Sequence, residues 1–200
     1  ITNKILKDIG RIEASKEVIE NAPLVPAYEA KFRQEAIIRT VHHGTHIEGN
    51  QLDTGEVAAV LEGEQVAAKD RDIQEVLNYR KVLTYIDKSQ RLQKSQKSQR
   101  VSEKDLLTIH KLTVDKVLRT DAAGKYRKTQ VVVKNTKTRE VSFRPPSAEQ
   151  VPKLAKDFFS WLNSDTVSEI HPVITAGITH YVLAYIHPFV DGNGRAARAL

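Results

Sequence analysis

The chain has 200 residues, 40% of them hydrophobic and none of them cysteine, which allows one sizeable core and excludes a disulfide framework and thiolate metal sites. No apolar run reaches membrane-spanning length and the first residues lack the layout of a secretory signal, so the chain reads as cytoplasmic, without a membrane partner. The net charge of +6 is spread along the chain; its densest patch, 91–100, carries Lys-Ser-Gln repeats typical of a solvated linker, so nucleic acid is not expected as a partner.

In chain order, apolar residues three and four apart (Ile5, Leu6, Ile9, Ile12, Val18, Ile19) predict a surface helix over 2–21. A helix-like run over 28–45 follows. The same periodicity at Ile73, Val76, Leu77, Val82, Leu83 and Ile86 predicts a further surface helix over 70–87. Ser102 with Asp105, and Ser147 with Gln150, have the spacing of capping boxes that open helices over 103–118 and 148–163, the second with Pro152 near its first turn. Between these lies a β-branched stretch, 130–134, a turn-like 135–138 and an alternating 139–143 before Pro145-Pro146. These predict a β-hairpin, which must rest on the helical body or be ordered by a partner strand. The run 172–186 is apolar on nearly every side, as in a helix buried at the centre of an all-α domain. It ends at His187-Pro188, where proline is expected to hold His187 extended and present its imidazole at the edge of the core.

The next residues, Asp191-Gly192-Asn193-Gly194, form a turn whose backbone N–H groups converge at a helix start, an anion-binding arrangement. Arg195 and Arg198 share a helical face in a first turn where the dipole disfavours cations, and a bound phosphate chain accounts for both. Asp191 beside phosphates is repulsive unless a hard cation, Mg2+, bridges them. His187 has the profile of a general base, although a histidine at a helix end on its own reads as a hydrogen-bonded cap.

The run His-Pro-Phe-Val-Asp-Gly-Asn-Gly-Arg-Ala-Ala-Arg at 187–198 fills every defining position of the Fic family signature, and the chain resembles that family. Segments 72–79, 125–127, 145–163 and 171–186 also resemble their Fic counterparts. The resemblance implies an all-α Fic fold, a helical bundle around a buried central helix with a small β-hairpin flap. It implies a nucleotidyltransferase that moves AMP from Mg-ATP to a Ser, Thr or Tyr hydroxyl of a protein. His187 would be the base, Asp191 the magnesium ligand, and Gly192, Asn193 and Gly194 the phosphate cradle. Arg195 and Arg198 would hold phosphates, Phe189 would anchor the loop, and Gln130, Val131, Val132 and Val133 would align the target's backbone by strand addition. The related Doc-type kinases carry lysine where Gly194 stands here, which argues for AMP transfer.

Upstream, Glu48 lies at the negative end of a helix with Gly49 as a plausible C-cap, so Glu48 and the arginines are each ill-placed for their own helix and each relieved by the other. A Glu48–Arg198 pair is expected. The segment resembles the inhibitory motif of Fic proteins, in which Ser or Thr precedes Glu-Gly by four residues; here that position is Gly44, and Thr45 stands three before Glu48. By resemblance the pair would block the γ-phosphate and silence the enzyme. The readings carried beside AMP transfer are AMP removal using Glu48 and a non-catalytic nucleotide-binding regulator. His42 and His46 are one turn apart, but no third metal ligand at suitable spacing is evident. The expected organisation is a single unit: N-terminal helices over 1–60 with an inhibitory helix at about 33–48, then a Fic core over 61–200 truncated after the motif, so that any C-terminal domain falls outside these 200 residues. ATP and a protein substrate are the expected partners, with room for a homodimer.

Overall fold

The computed structural model describes residues 1–22, 25–96, 100–118, 121–135 and 138–200. The chain divides into two units, 1–37 and 38–200. The first holds α1 (Asn3–Asn21), whose N-cap hydroxyl on Thr2 accepts from the Ile5 N–H at 3.3 Å, and the opening turns of α2 (Pro26–His46). The periodicity that predicts α1 does not supply it with a core. None of its residues is buried, and Ile5, Leu6, Ile12, Val18 and Ile19 are exposed.

The second unit continues from the end of α2 through α3 (Thr54–Glu62), α4 (Asp70–Gln96), α5 (Glu103–Thr113), strands β1 (Val133–Lys134) and β2 (Val141–Phe143), a 3-10 turn (Ala148–Gln150), α6 (Val151–Leu162), α7 (Asp165–Ser168), α8 (Pro172–Ile186) and α9 (Asn193–Ala199). Its core joins Val82, Leu106, Ile109, Val151, Phe158, Phe159, Leu183, Ile186 and Phe189 to Ala196 and Ala197, so the loop after α8 is anchored in the same apolar cluster as the helices. The fold is all-α with a small hairpin, as the sequence leads one to expect.

Two helix starts follow their local signals. Ser102 and Asp105 close a full capping box at α5, which ends at Thr113, short of the predicted 118. The Ser147 N–H donates to Gln150 Oε1 at 3.2 Å, but this box opens the 3-10 turn, and Pro152 sits in the first turn of α6 behind it. α4 runs through most of the predicted linker; residues 97–99 of the Lys-Ser-Gln repeat, like 136–137 of the predicted turn, lie outside the described residues. The strands are shorter than the pattern implies, with Val133 opposite Phe143, and the Phe143 ring rests against Tyr185 of α8 at 5.8 Å between centroids, so the hairpin does lie on the helical body.

α8 has the predicted bounds but is not buried all round. Thr179, Leu183 and Ile186 face the core, while Val173, Tyr181 and Tyr185 are exposed. An apolar composition without periodicity gives no orientation, and the packing of α9 and α6 on one side decides it.

Candidate active site

The site begins where α8 stops. His187 has φ 49 and ψ 60, the left-handed conformation, and its N–H closes on Leu183 O at 2.9 Å as a helix C-cap. The expected extended backbone is therefore wrong. Proline excludes the right-handed helical region for the residue before it, and here the chain meets that restriction by turning left, at a cost of about 1–2 kcal/mol for a side-chain-bearing residue. The turn swings the imidazole back so that Nδ1 lies 3.3 Å from Ala184 O. A carbonyl only accepts, so Nδ1 carries the proton and Nε2 presents its lone pair. Burial lowers the His187 pKa below its ordinary 6.5, opposed by the Ala184 bond, aided by Arg127 and opposed again by Glu48 and Asp191.

The following turn is fixed by buried partners. Asn193, nearly fully buried, receives the Phe189 N–H on Oδ1 at 2.8 Å and donates Nδ2 to Phe189 O at 2.9 Å. His110, fully buried, stacks on the Phe189 ring at 3.6 Å, accepts the Gly124 N–H on Nδ1 at 3.0 Å and donates Nε2 to Asp191 O at 3.0 Å. Burial pushes its pKa down to about 4, and the paired bonds require the neutral ring. Gly192 adopts φ 77, and a Cβ there would come within 2.8 Å of Val114 Cγ1, so both conformation and space demand glycine.

Asp191 keeps a half-exposed carboxylate. Oδ1 accepts the Gly192 N–H at 2.6 Å, and Arg195 and Arg71 each stand 3.7 Å from an oxygen. Arg195 and Arg198, three apart on α9, differ in burial. Arg195 is 2% exposed, with Nη1 2.9 Å from Glu75 Oε1, and Glu75 is in turn held by Arg71 and Asn50. Asn193 and Arg195 thus brace the turn with buried side chains, Arg195 with Nη2 turned towards Asp191, a consequence of a helix start packed into the core. Arg198 alone reaches outward: its Nη2 donates to Glu48 Oε1 at 2.7 Å and to Gly44 O at 2.9 Å. The Glu48 carboxylate lies directly over Gly194, where an added Cβ would collide with Oε1.

Sequence reasoning therefore brought together His187, Asp191, Gly194, Arg198 and Glu48, and missed the layer behind them: His110, Arg127, Glu75, Asn50 and Tyr79. The Tyr79 ring, 3% exposed, fills the space beside Gly44, where a Cβ would come within 2.5 Å of it. Glycine at that motif position makes room for the ring. Burial raises the Tyr79 pKa, opposed chiefly by the positive charge of Arg198. Thr45 does not replace the missing hydroxyl: its Oγ1 donates to Val41 O at 3.0 Å within the helix. The flap residues flank the site. Gln130 Nε2 donates to Pro145 O at 3.0 Å across the base of the hairpin, and Val131 to Val133 are partly buried beside it.

Among the described residues no three His, Cys, Asp or Glu side chains converge to hold a metal by themselves, and Asp191 stands as a lone carboxylate. That suits Mg2+, which binds through one or two carboxylates, water and substrate phosphates.

The chain is similar to known proteins in sequence and fold. A profile of the Fic/DOC family matches residues 100–200. The chain is 30% identical over 195 residues to the protein adenylyltransferase Fic of Nematostella vectensis, an alignment covering 96% of this chain and 43% of that protein. It is 34% identical over 172 residues to the protein adenylyltransferase fic-1 of Caenorhabditis elegans, covering 85% of this chain and 32% of the relative. The chain spans less than half the length of both curated relatives. Its fold is similar to the crystal structure of a Fic family protein from Desulfovibrio desulfuricans G20, with a TM-score of 0.76 at 30% identity over 100% of this chain and 56% of that one. With the signature filled, its turn built and the family profile covering half of the sequence, the chain belongs to the Fic/DOC family.

Proposed function

We propose that the chain carries a protein adenylyltransferase centre, formed by residues 61–200 and held off by the segment at 33–48. The observation that carries the reading is the Glu48 carboxylate seated on Gly194 and bound by Arg198, an anion lying where a phosphate of ATP would lie. Charge-assisted donors that grip a carboxylate suit a phosphate oxygen equally, so the two compete for Arg198.

With Glu48 displaced, Gly194 and Arg198 receive the phosphates and Asp191 offers its open carboxylate oxygen. Magnesium bound there would neutralise charge on the phosphates and the leaving group. The target hydroxyl, aligned by a strand added along Gln130–Val133, attacks the α-phosphorus. Its oxygen bonds to phosphorus as the bond to pyrophosphate breaks, and its proton passes to His187 Nε2. The Nδ1–H bond to Ala184 O steadies the ring before transfer and shares the charge after it. Since the neutral imidazole is the active form and its pKa lies below 6.5, the rate is flat near neutrality and falls as pH drops through that pKa. The proposed setting is cytoplasmic; no described helix is long and apolar enough to cross a membrane.

Intact-mass spectrometry after incubation with magnesium and each nucleoside triphosphate tests this. Glu48→Gly is expected to gain one AMP from ATP while the parent gains far less. No adduct from any of the nucleotides in the variant would refute the transferase reading.

A further inference from the structure

Arg127 is a buried cation that the transfer chemistry does not use. It is 3% exposed, and its acceptors among the described residues are backbone carbonyls: His187 O from Nε at 2.8 Å, Thr129 O from Nη1 at 3.2 Å, and Pro146 O and, at 3.5 Å, Ile186 O from Nη2. Its own N–H donates to Pro188 O at 2.9 Å. The other three arginines at the site have carboxylates, Glu75 for Arg71 and Arg195 and Glu48 for Arg198. A guanidinium buried without a counter-ion is costly unless fixed dipoles replace one.

The end of α8 supplies those dipoles. A helix leaves its last carbonyls unpaired and its C-terminus partly negative. The left-handed turn at His187 brings three successive carbonyls, of Ile186, His187 and Pro188, onto one residue. Arg127 therefore satisfies the helix end and stabilises the strained turn that sets the imidazole. Its remaining bonds go elsewhere: Thr129 precedes the hairpin and Pro146 follows it. One planar side chain thus ties the backbone of the histidine to both legs of the flap.

Resting on the transferase reading above, we propose that Arg127 is a positioning residue that locks His187 and the flap into one register, so that the proton acceptor and the strand-aligned target hydroxyl keep a common geometry. Lysine at 127 would keep the charge but not the fork that bonds in two directions at once. The ATP face, Gly194 and Arg198, is outside this linkage. The groups charged or titrating around the imidazole are Arg127, Glu48 and Asp191, and of these Arg127 depresses its pKa while the other two raise it.

The experiment compares Arg127→Lys and Arg127→Gln with their parent in the Glu48→Gly background. Auto-modification by ATP is expected to lose at least about tenfold in kcat in both variants while KM for ATP stays within about twofold, because misplacing the base leaves nucleotide contacts intact. NMR titration is expected to raise the His187 pKa in Arg127→Gln and leave it nearly unchanged in Arg127→Lys. Amide hydrogen exchange, which needs no activity, is expected to quicken together at His187 and Phe189 and at 133–134 and 141–143 in both variants. Faster exchange in one segment alone, or in neither, would overturn the linkage even if the parent transfers no AMP. An inactive parent would instead count against the transferase reading. Rise of KM with unchanged kcat, or global unfolding of both variants, would make Arg127 an ordinary core residue and overturn the proposal.

Discussion

In the turn from His187 to Arg195, each departure from ordinary backbone has a buried partner: Asn193 on both polar groups of Phe189, His110 on Asp191 O, Arg127 on His187 O and Glu75 on Arg195. The segment from Gly44 to Gly49 is built differently. Gly44 and Thr45 are buried, Gly44 beside the Tyr79 ring, but Ile47, Glu48 and Gly49 are exposed, and Glu48 is tied across the site by one guanidinium that also bonds Gly44 O. The reacting side is over-determined and the blocking side is tethered by a partly exposed pair, whose side chains are 22% and 30% accessible. Such a pair contributes little to stability, typically under about 1 kcal/mol, so the block can be lifted without loosening what it blocks.

The contrast is broken most severely by removing the base. In the Glu48→Gly protein, His187→Ala is expected to lower transfer of radiolabelled AMP by about 10²–10⁴-fold. Next, Asn193→Ala leaves two buried backbone groups of Phe189 unpaired and is expected to cost about 2–5 kcal/mol in urea denaturation, far more than any single change in the blocking segment. Acid probes the same side. The folded pKa of His110 lies below its unfolded 6.5, so its contribution is complete above pH 6.5 and is lost as pH falls towards about 4, amounting to at most about 3 kcal/mol. Denaturation midpoints across that window should fall in the parent and fall less in His110→Gln. The smallest effect sharpens the comparison: Glu48→Gln is expected to change unfolding free energy by less than about 1 kcal/mol while raising transfer.

Much of the reacting side was legible because its residues are ill-placed by local rules: a carboxylate beside an anion turn, a cation at a helix start and an anion at a helix end. The pairing of Glu48 with Arg198 follows from that reasoning, and the structure bears it out at 2.7 Å. The supporting layer was not legible, because a polar residue inside a helical pattern reads as solvent-facing. Asp72, Glu75 and Asn78 of α4 are buried, and their spacing of three repeats down the helix beside Val76, Tyr79 and Val82. That second stripe was the available signal. His110 offered none and Arg127 only the resemblance of 125–127, since each acts on carbonyls or amides far away in sequence that become neighbours only after folding. The rule for residues before proline pointed to an extended His187; the residue is left-handed instead, and its carbonyl is bound by Arg127.

Amide hydrogen exchange of the Glu48→Gln protein against its parent tests the account most directly. Protection at Glu48 and Gly49, whose N–H groups bond Thr45 O and His46 O, should fall, while protection at Phe189 and Ala196, bonded to Asn193 Oδ1 and Gly192 O, stays unchanged. Equal loss of protection in both segments would contradict it, because the block would then be part of the framework that holds the base.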